Sequence, residues 1–307
     1  MDAFEQNDAF QQNRASIGSR PLAQLLLATA ITLLLADCSG GGEAARIRAS
    51  RLAQQASFTP TSIAAGSFHL QAWLRLTAPS PVLRVYIEGD GHAWDTTTRP
   101  SGDPTPWLPV ALELAAVDPG PAVAYLARPC QYVPPDSDPA CTQSVWTDAR
   151  YSAAVIASTN AALDQLKALA GASQLELVGF SGGGAVAALA GVQRRDLRNL
   201  RTVAANLDTA SWTAEHHVTP LTGSLNPIDI APRLAAVPQI HFVGGADHNV
   251  GLSVVRSFTA AEGSSRCIGI LVVPGLEHDG DWPAVWLGLL SRPLPSGCSQ
   301  TASAAIQ

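Results

Sequence analysis

Charge is scarce in this chain: Asp, Glu, Lys and Arg make up 14% of 307 residues, the net charge is −6, and 47% of residues are hydrophobic. So much apolar content provides for a sizeable core and argues against wholesale disorder. No Lys/Arg cluster supplies the electrostatic footprint that a phosphate backbone requires, which argues against nucleic acid as a partner. No apolar run reaches a comfortable membrane span; the run over 22–36 is interrupted by Gln24, Thr29 and Thr32. The cysteines share no metal-ligand spacing with the histidines, and neither a metal nor an organic cofactor is implied. There is no internal repeat. Methionine is absent beyond Met1, so no later start trims the polar lead.

What is present at the N-terminus reads as an export signal. Arg14 and Arg20 precede the apolar run, which suits a signal-peptide core over 1–37. The run ends in Leu35-Ala36-Asp37-Cys38, followed by Ser39 and three glycines. That stretch resembles a bacterial lipoprotein processing box, in which the cysteine is lipidated and becomes the new N-terminus. Asp37 departs from the pattern, which has a small uncharged residue there. The resemblance implies a protein anchored by Cys38 at the periplasmic face of a membrane, with plain secretion as the alternative. Residues 38–56, rich in Gly, Ala, Arg and Gln, read as a tether, and 301–307 as a flexible tail.

Between them lies one domain over 57–300. Phe68, Leu70, Ala72, Leu74 and Leu76 alternate with mostly polar neighbours, the period of a half-buried strand, expected at an antiparallel edge. Further strands are expected over 82–87, 122–126, 175–180, 200–207, 240–243 and 268–273. Helices are expected around 107–116 and over 151–170, 185–192, 252–261 and 282–290. Strands alternating with helices define an α/β fold, a mostly parallel sheet covered on both faces.

The sharpest motif is Gly179-Phe180-Ser181-Gly182-Gly183, a Gly-x-Ser-x-Gly between a predicted strand and a predicted helix. A turn of this kind exposes the serine hydroxyl above the sheet in a strained conformation, and small residues on either side avoid collisions. The Gly182 N–H, near a helix N-terminus, is placed to face a developing oxyanion.

On these residues the chain resembles the α/β-hydrolase superfamily, over essentially everything after residue 56. The resemblance implies a nucleophile, acid and histidine in that chain order, each on a loop after a strand. Ser181 is then the nucleophile. Of seven histidines, His69 and His241 sit in strand patterns, His216 and His217 fall in an insertion, and His248 adjoins the acid. His92 precedes the nucleophile in the chain; His278, five residues past the last strand and where the superfamily carries its base, remains. Asp247 follows a strand through Gly244-Gly245-Ala246 and matches the usual acid loop; Asp208, after the preceding strand, is the rival. A second oxyanion donor should come from Glu88-Gly89-Asp90-Gly91, by position the Asp90 N–H, with Gly89 or Gly91 as alternatives. An acidic side chain there would cost stabilisation unless it turns away or is neutralised. A short cap is implied over 208–227, and Trp94, Trp107 and Trp146 lie in loops that could line the cleft.

Four cysteines remain after Cys38, an even number in an exported chain, with three possible connectivities. Cys130 follows a strand, at the carboxyl edge of a parallel sheet. Cys267 precedes the last strand, and the final helix returns Cys298 to that opposite edge. Cross-pairs would have to span a strand, so Cys130–Cys141 and Cys267–Cys298 are expected. The function implied is a serine hydrolase acting on a small-molecule or lipid-like carboxylic ester through an acyl-enzyme. The alternatives are an amide or peptide hydrolase or acyltransferase on the same triad, and a binding protein on a catalytically dead fold.

Overall fold

The computed structural model describes residues 40–134, 137–263, 265–296 and 298. Eight strands form one sheet: Thr59–Ala65 (β1), Phe68–Leu76 (β2), Val82–Ile87 (β3), Ala122–Leu126 (β4), Gln174–Phe180 (β5), Leu197–Val203 (β6), Gln239–Gly244 (β7) and Ile268–Val273 (β8). Their order is β1-β2-β4-β3-β5-β6-β7-β8. β2 runs antiparallel to β1 and β4, and from β4 to β8 every pairing is parallel. The helices are Gly40–Gln55 (α1), Val110–Val117 (α2), Ala153–Leu169 (α3), Gly182–Gly191 (α4), Thr209–Glu215 (α5), Ala231–Leu234 (α6), Leu252–Ala261 (α7) and Trp282–Leu290 (α8).

Strand alternation explains the two layers. Leu83, Val85, Ile87, Leu175 and Leu177 point to one face, where α3, α4 and α7 supply Leu163, Leu166, Val186 and Phe258. Tyr86, Val178 and Phe180 point to the other, where α1, α2 and α8 supply Ala49, Leu112 and Trp286. A sheet apolar on both faces needs helices on both. Trp282 and Trp286 are fully buried, and burying such a ring contributes about 4–6 kcal/mol of gross transfer energy.

Three sequence expectations are corrected. Residues 38–56 are not a tether from residue 40 onward: Gly40–Gln55 is a helix. Its buried stripe is Ala45, Ala49 and Ala53, four apart, and Arg46 pairs with Asp103. Alanine is the best helix former but carries little hydrophobic signal, so the pattern resembled low-complexity sequence. Phe68–Leu76 is antiparallel but not at the edge; β1 covers it, with Pro60 at the outer position that edges tolerate. The strand expected over 200–207 ends at Val203, because Ala204 turns to φ +49°. Residues 1–37, Cys38 and 301–307 lie outside the described residues.

Because the strands are parallel, the loops after β3, β5, β6, β7 and β8 all emerge at one edge of the sheet. Cys130, after β4, bonds Cys141 with Cα atoms 5.5 Å apart; Cys267, immediately before β8, bonds Cys298 with Cα atoms 5.0 Å apart.

Candidate active site

Ser181 is the residue between β5 and α4, and its backbone sits at φ +51°, ψ −122°. A non-glycine residue there is strained and is held by its surroundings. Ser181 N–H donates to Val203 O at 2.9 Å, and its carbonyl accepts from Gly184 N–H at 3.0 Å and Asn206 N–H at 3.3 Å. At Gly179 the backbone of Gly183 and Gly184 passes so close that a Cβ would collide with it, which is why the motif needs glycine.

The side chains converge on that hydroxyl. Ser181 Oγ and His278 Nε2 are 3.0 Å apart, and His278 Nδ1 lies 2.9 Å from Asp247 Oδ2. Asp247 Oδ1 accepts the N–H groups of Asn249 and Val250, both at 2.8 Å. Its carboxylate is fully buried, so Nδ1 carries the proton toward it and Nε2 is free to accept from Ser181. The acid and histidine loops are tied together, Ala246 N–H donating to Leu276 O and Gly245 N–H to Val273 O. Trp282 Nε1 donates to His278 O at 2.9 Å, so a fully buried indole anchors the histidine loop.

Asp208 does not join this chain of bonds. It caps α5 through Ser211 N–H and accepts the Ser257 hydroxyl. Among the other histidines, His241 is fully buried with Nδ1 on the Thr202 hydroxyl. Burial pushes it down to about 3, so it is neutral. His92 stacks on Trp107, and His216 faces Asn249 O.

The loop after β3 packs on the turn. The Asp90 carboxylate lies against Gly182, leaving no room there for a side chain, and Gly89 abuts Phe180 and Ser181. Gly182 N–H and Asp90 N–H have no protein hydrogen-bond partner among the described residues. The acidic side chain is neutralised: Arg128 Nη1 donates at 3.1 Å, Arg150 Nη1 at 2.8 Å and Tyr151 Oη at 2.9 Å. Burial alone would raise the Asp90 carboxyl, but the Arg150 and Arg128 guanidiniums outweigh it and hold it below the usual carboxylate range. Glu88, two residues earlier, has no basic partner among the described residues. It accepts from Gly89 N–H and the Tyr125 hydroxyl, and burial pushes it up to about 7. Arg128, Arg150 and Tyr151 carry no motif.

Ser181, His278, Asp90 and Gly89 line a cleft of about 420 Å³. Its walls include Ala93, Trp94, Pro106, Trp107, Leu108 and Trp212; Trp146 is buried elsewhere, donating to Ser101 O. Among the described residues no three His, Cys, Asp or Glu side chains cluster as metal ligands.

No family model matches the chain, and no curated protein matches its sequence. Solved structures do match in shape. One is an α/β serine hydrolase without lid from Xanthomonas campestris: 14% identity, TM-score 0.52, covering 78% of this chain and 96% of that one. Another is a Pyrococcus furiosus esterase: 13% identity, TM-score 0.55, covering 77% and 90%. A third is a puromycin-hydrolysing peptidase of Mycobacterium tuberculosis: 14% identity, TM-score 0.53, covering 76% of this chain and 38% of that one. The chain has the α/β-hydrolase fold. Its eight-stranded, mostly parallel sheet fits that fold, and the loops after β5, β7 and β8 carry Ser181, Asp247 and His278 in that order.

Proposed function

We propose that this protein is a serine hydrolase acting on carboxylic esters. The observation that carries this is the unbroken relay from Ser181 Oγ through His278 to the buried Asp247, at 3.0 and 2.9 Å, on a serine held at φ +51°. Ser181 Oγ attacks the ester carbonyl while His278 Nε2 takes its proton. Asp247 holds the tautomer and favours the imidazolium that forms. The carbonyl oxygen gains charge and is met by the N–H groups of Asp90 and Gly182. His278 then protonates the leaving alkoxide, giving a Ser181 acyl-enzyme. Water, deprotonated by the same nitrogen, attacks the acyl carbon and releases the carboxylic acid and free Ser181. The apolar lining of Ala93, Trp94, Pro106, Trp107 and Leu108 suits an uncharged ester group.

Labelling with a fluorophosphonate probe, followed by a panel of p-nitrophenyl esters of increasing chain length, tests this. Labelling at Ser181 with ester turnover is expected. Labelling with turnover of amides alone would move the substrate class, and the absence of labelling would remove the nucleophile.

We further propose export directed by residues 1–37 and lipidation at Cys38, which would anchor the mature protein to a membrane at the periplasmic face. Support comes from the sequence pattern and from the even number of cysteines after Cys38. Mass spectrometry of the mature N-terminus checks it: an intact Met1, or an unmodified Cys38, refutes the anchor.

A further inference from the structure

Gly89 and Asp90 share one peptide unit, so whatever grips the Gly89 carbonyl also aims the Asp90 N–H. That carbonyl accepts a hydrogen bond from Gln131 Nε2 at 2.9 Å. In a trans peptide the N–H points away from the C=O, and Asp90, whose N–H has no protein partner among the described residues, is one of the residues that line the cleft with Ser181. Gln131 itself is buried and takes no part in the cleft wall. We infer that Gln131 is a positioning residue, which fixes the Gly89–Asp90 peptide in the orientation that donates to the developing oxyanion. The inference rests on the serine-hydrolase reading above.

The orientation of the Gln131 amide is dictated by its two partners. Its Oε1 accepts Arg128 N–H at 3.0 Å while its Nε2 donates to Gly89 O. The reversed amide would set carbonyl against carbonyl and N–H against NH2. Gly91 turns to φ +67°, and a Cβ there would fall 2.1 Å from Pro104 O and 2.7 Å from Gln131 Nε2, so the loop packs closely against both. Cys130, beside it, sits at φ +72° and is bonded to Cys141; Tyr132 N–H on its other side donates to Thr105 Oγ1 at 2.9 Å. Gln131 is therefore held independently of the loop that it holds.

The other bonds to the loop cannot replace it. Arg128, Arg150 and Tyr151 grip the Asp90 side chain, which fixes its Cα but leaves the preceding peptide free to turn about its ends. Glu88 takes the N–H of Gly89, not its carbonyl. Gly89, without a Cβ, offers little resistance to that rotation. With Gln131 Nε2 removed, the carbonyl loses its partner, the peptide samples the flipped state, and the Asp90 N–H leaves the site.

Two variants of the full chain test this with one p-nitrophenyl ester. Gln131→Leu should lower kcat about 100- to 1000-fold, the range for losing one oxyanion donor, with KM little changed, because the donor acts on charge that develops only in the transition state. Gln131→Glu keeps the acceptor for Arg128 N–H. When ionised it repels Gly89 O, and when protonated it donates to it. Its kcat relative to wild type should therefore rise as pH falls from about 8 to about 5, while the ratio for Gln131→Leu stays flat. The charged groups nearby are Glu88, Asp90 and Arg128; Glu88, pushed up to about 7, titrates in wild type and in Gln131→Leu as well, so the Gln131→Leu ratio is the reference against which the Gln131→Glu profile is read. A folded Gln131→Leu with unchanged kcat, or a Gln131→Glu ratio that does not vary with pH, overturns the inference. Should Gln131→Leu fail to fold, the isosteric Gln131→Glu decides alone. A wild-type protein that neither turns over an ester nor labels at Ser181 sinks the hydrolase reading and this inference together. Active wild type with unimpaired variants sinks only the inference.

Discussion

The Asp208 carboxylate accepts the Ser257 hydroxyl at 2.6 Å, and its other oxygen caps the helix Thr209–Glu215. Both lone-pair faces are thus committed to structure, whereas Asp247 faces His278. Asp247→Asn should lower kcat on the order of 10⁴-fold, since an amide cannot keep the proton on Nδ1. Asp208→Asn should leave kcat close to wild type, because Asn caps a helix about as well as Asp. Steady-state kinetics of both on one ester decide between them; a larger loss at Asp208 would transfer the acid role.

Ser181→Ala should abolish turnover, by on the order of 10⁴- to 10⁶-fold, and remove fluorophosphonate labelling. Ser181 borders the cleft rather than filling the core, so the melting temperature should hardly move. Appreciable activity in the folded variant would disqualify this nucleophile.

Glu262 is buried, accepts from Gln239 Nε2 at 2.7 Å, and burial pushes its carboxyl from 4.5 to about 7. Between those values the folded state binds more protons than the unfolded one, so this group destabilises the fold progressively as pH rises through that window. Glu262→Gln should therefore melt close to wild type at pH 4.5 and increasingly above it as the pH rises toward neutrality. Thermal melts across that range check the sign. His241 acts oppositely: with its folded value near 3, its contribution is present above 6.5 and lost as pH falls.

Trp107 is 51% exposed and stacks on His92 with ring centroids 3.9 Å apart at the rim of the cleft. Trp94 and Leu108, 40% and 54% exposed, continue the same wall. Trp107→Ala should raise KM for esters carrying an aromatic or long acyl group while leaving acetate esters nearly unaffected, since only the larger group reaches the ring. Equal changes across an ester panel would contradict a contact role.

The parts of the fold readable in the sequence were those with clear punctuation. Ala122–Leu126 follows Pro121, Leu252–Ala261 follows Gly251, and Ile268–Val273 ends at Pro274-Gly275, and these bounds match the sequence reading. Gly40–Gln55 escaped because its buried face is alanine, and Thr59–Ala65 because only Ile63 and Ala65 are buried along it. The positions of Ser181, Asp247 and His278 could be anticipated because each follows a strand through a short loop. The support behind Asp90 could not. Arg128, Arg150 and Tyr151 lie 38, 60 and 61 residues away in sequence and meet only in the folded chain.

The segment between β6 and β7 adds little to the cleft wall, and this has a chemical consequence. Only Asn206 and Trp212 of that stretch line the cleft, and Ser181 remains partly accessible. An acyl group carried by Ser181 would thus meet bulk water directly instead of waiting in a sealed chamber. Its fate would be settled by competition in solution, with water outnumbering any dilute alcohol or amine, so free acid would dominate over transfer products. Nor would turnover wait for an oil–water boundary to open a cover: rate should follow dissolved substrate smoothly through its solubility limit.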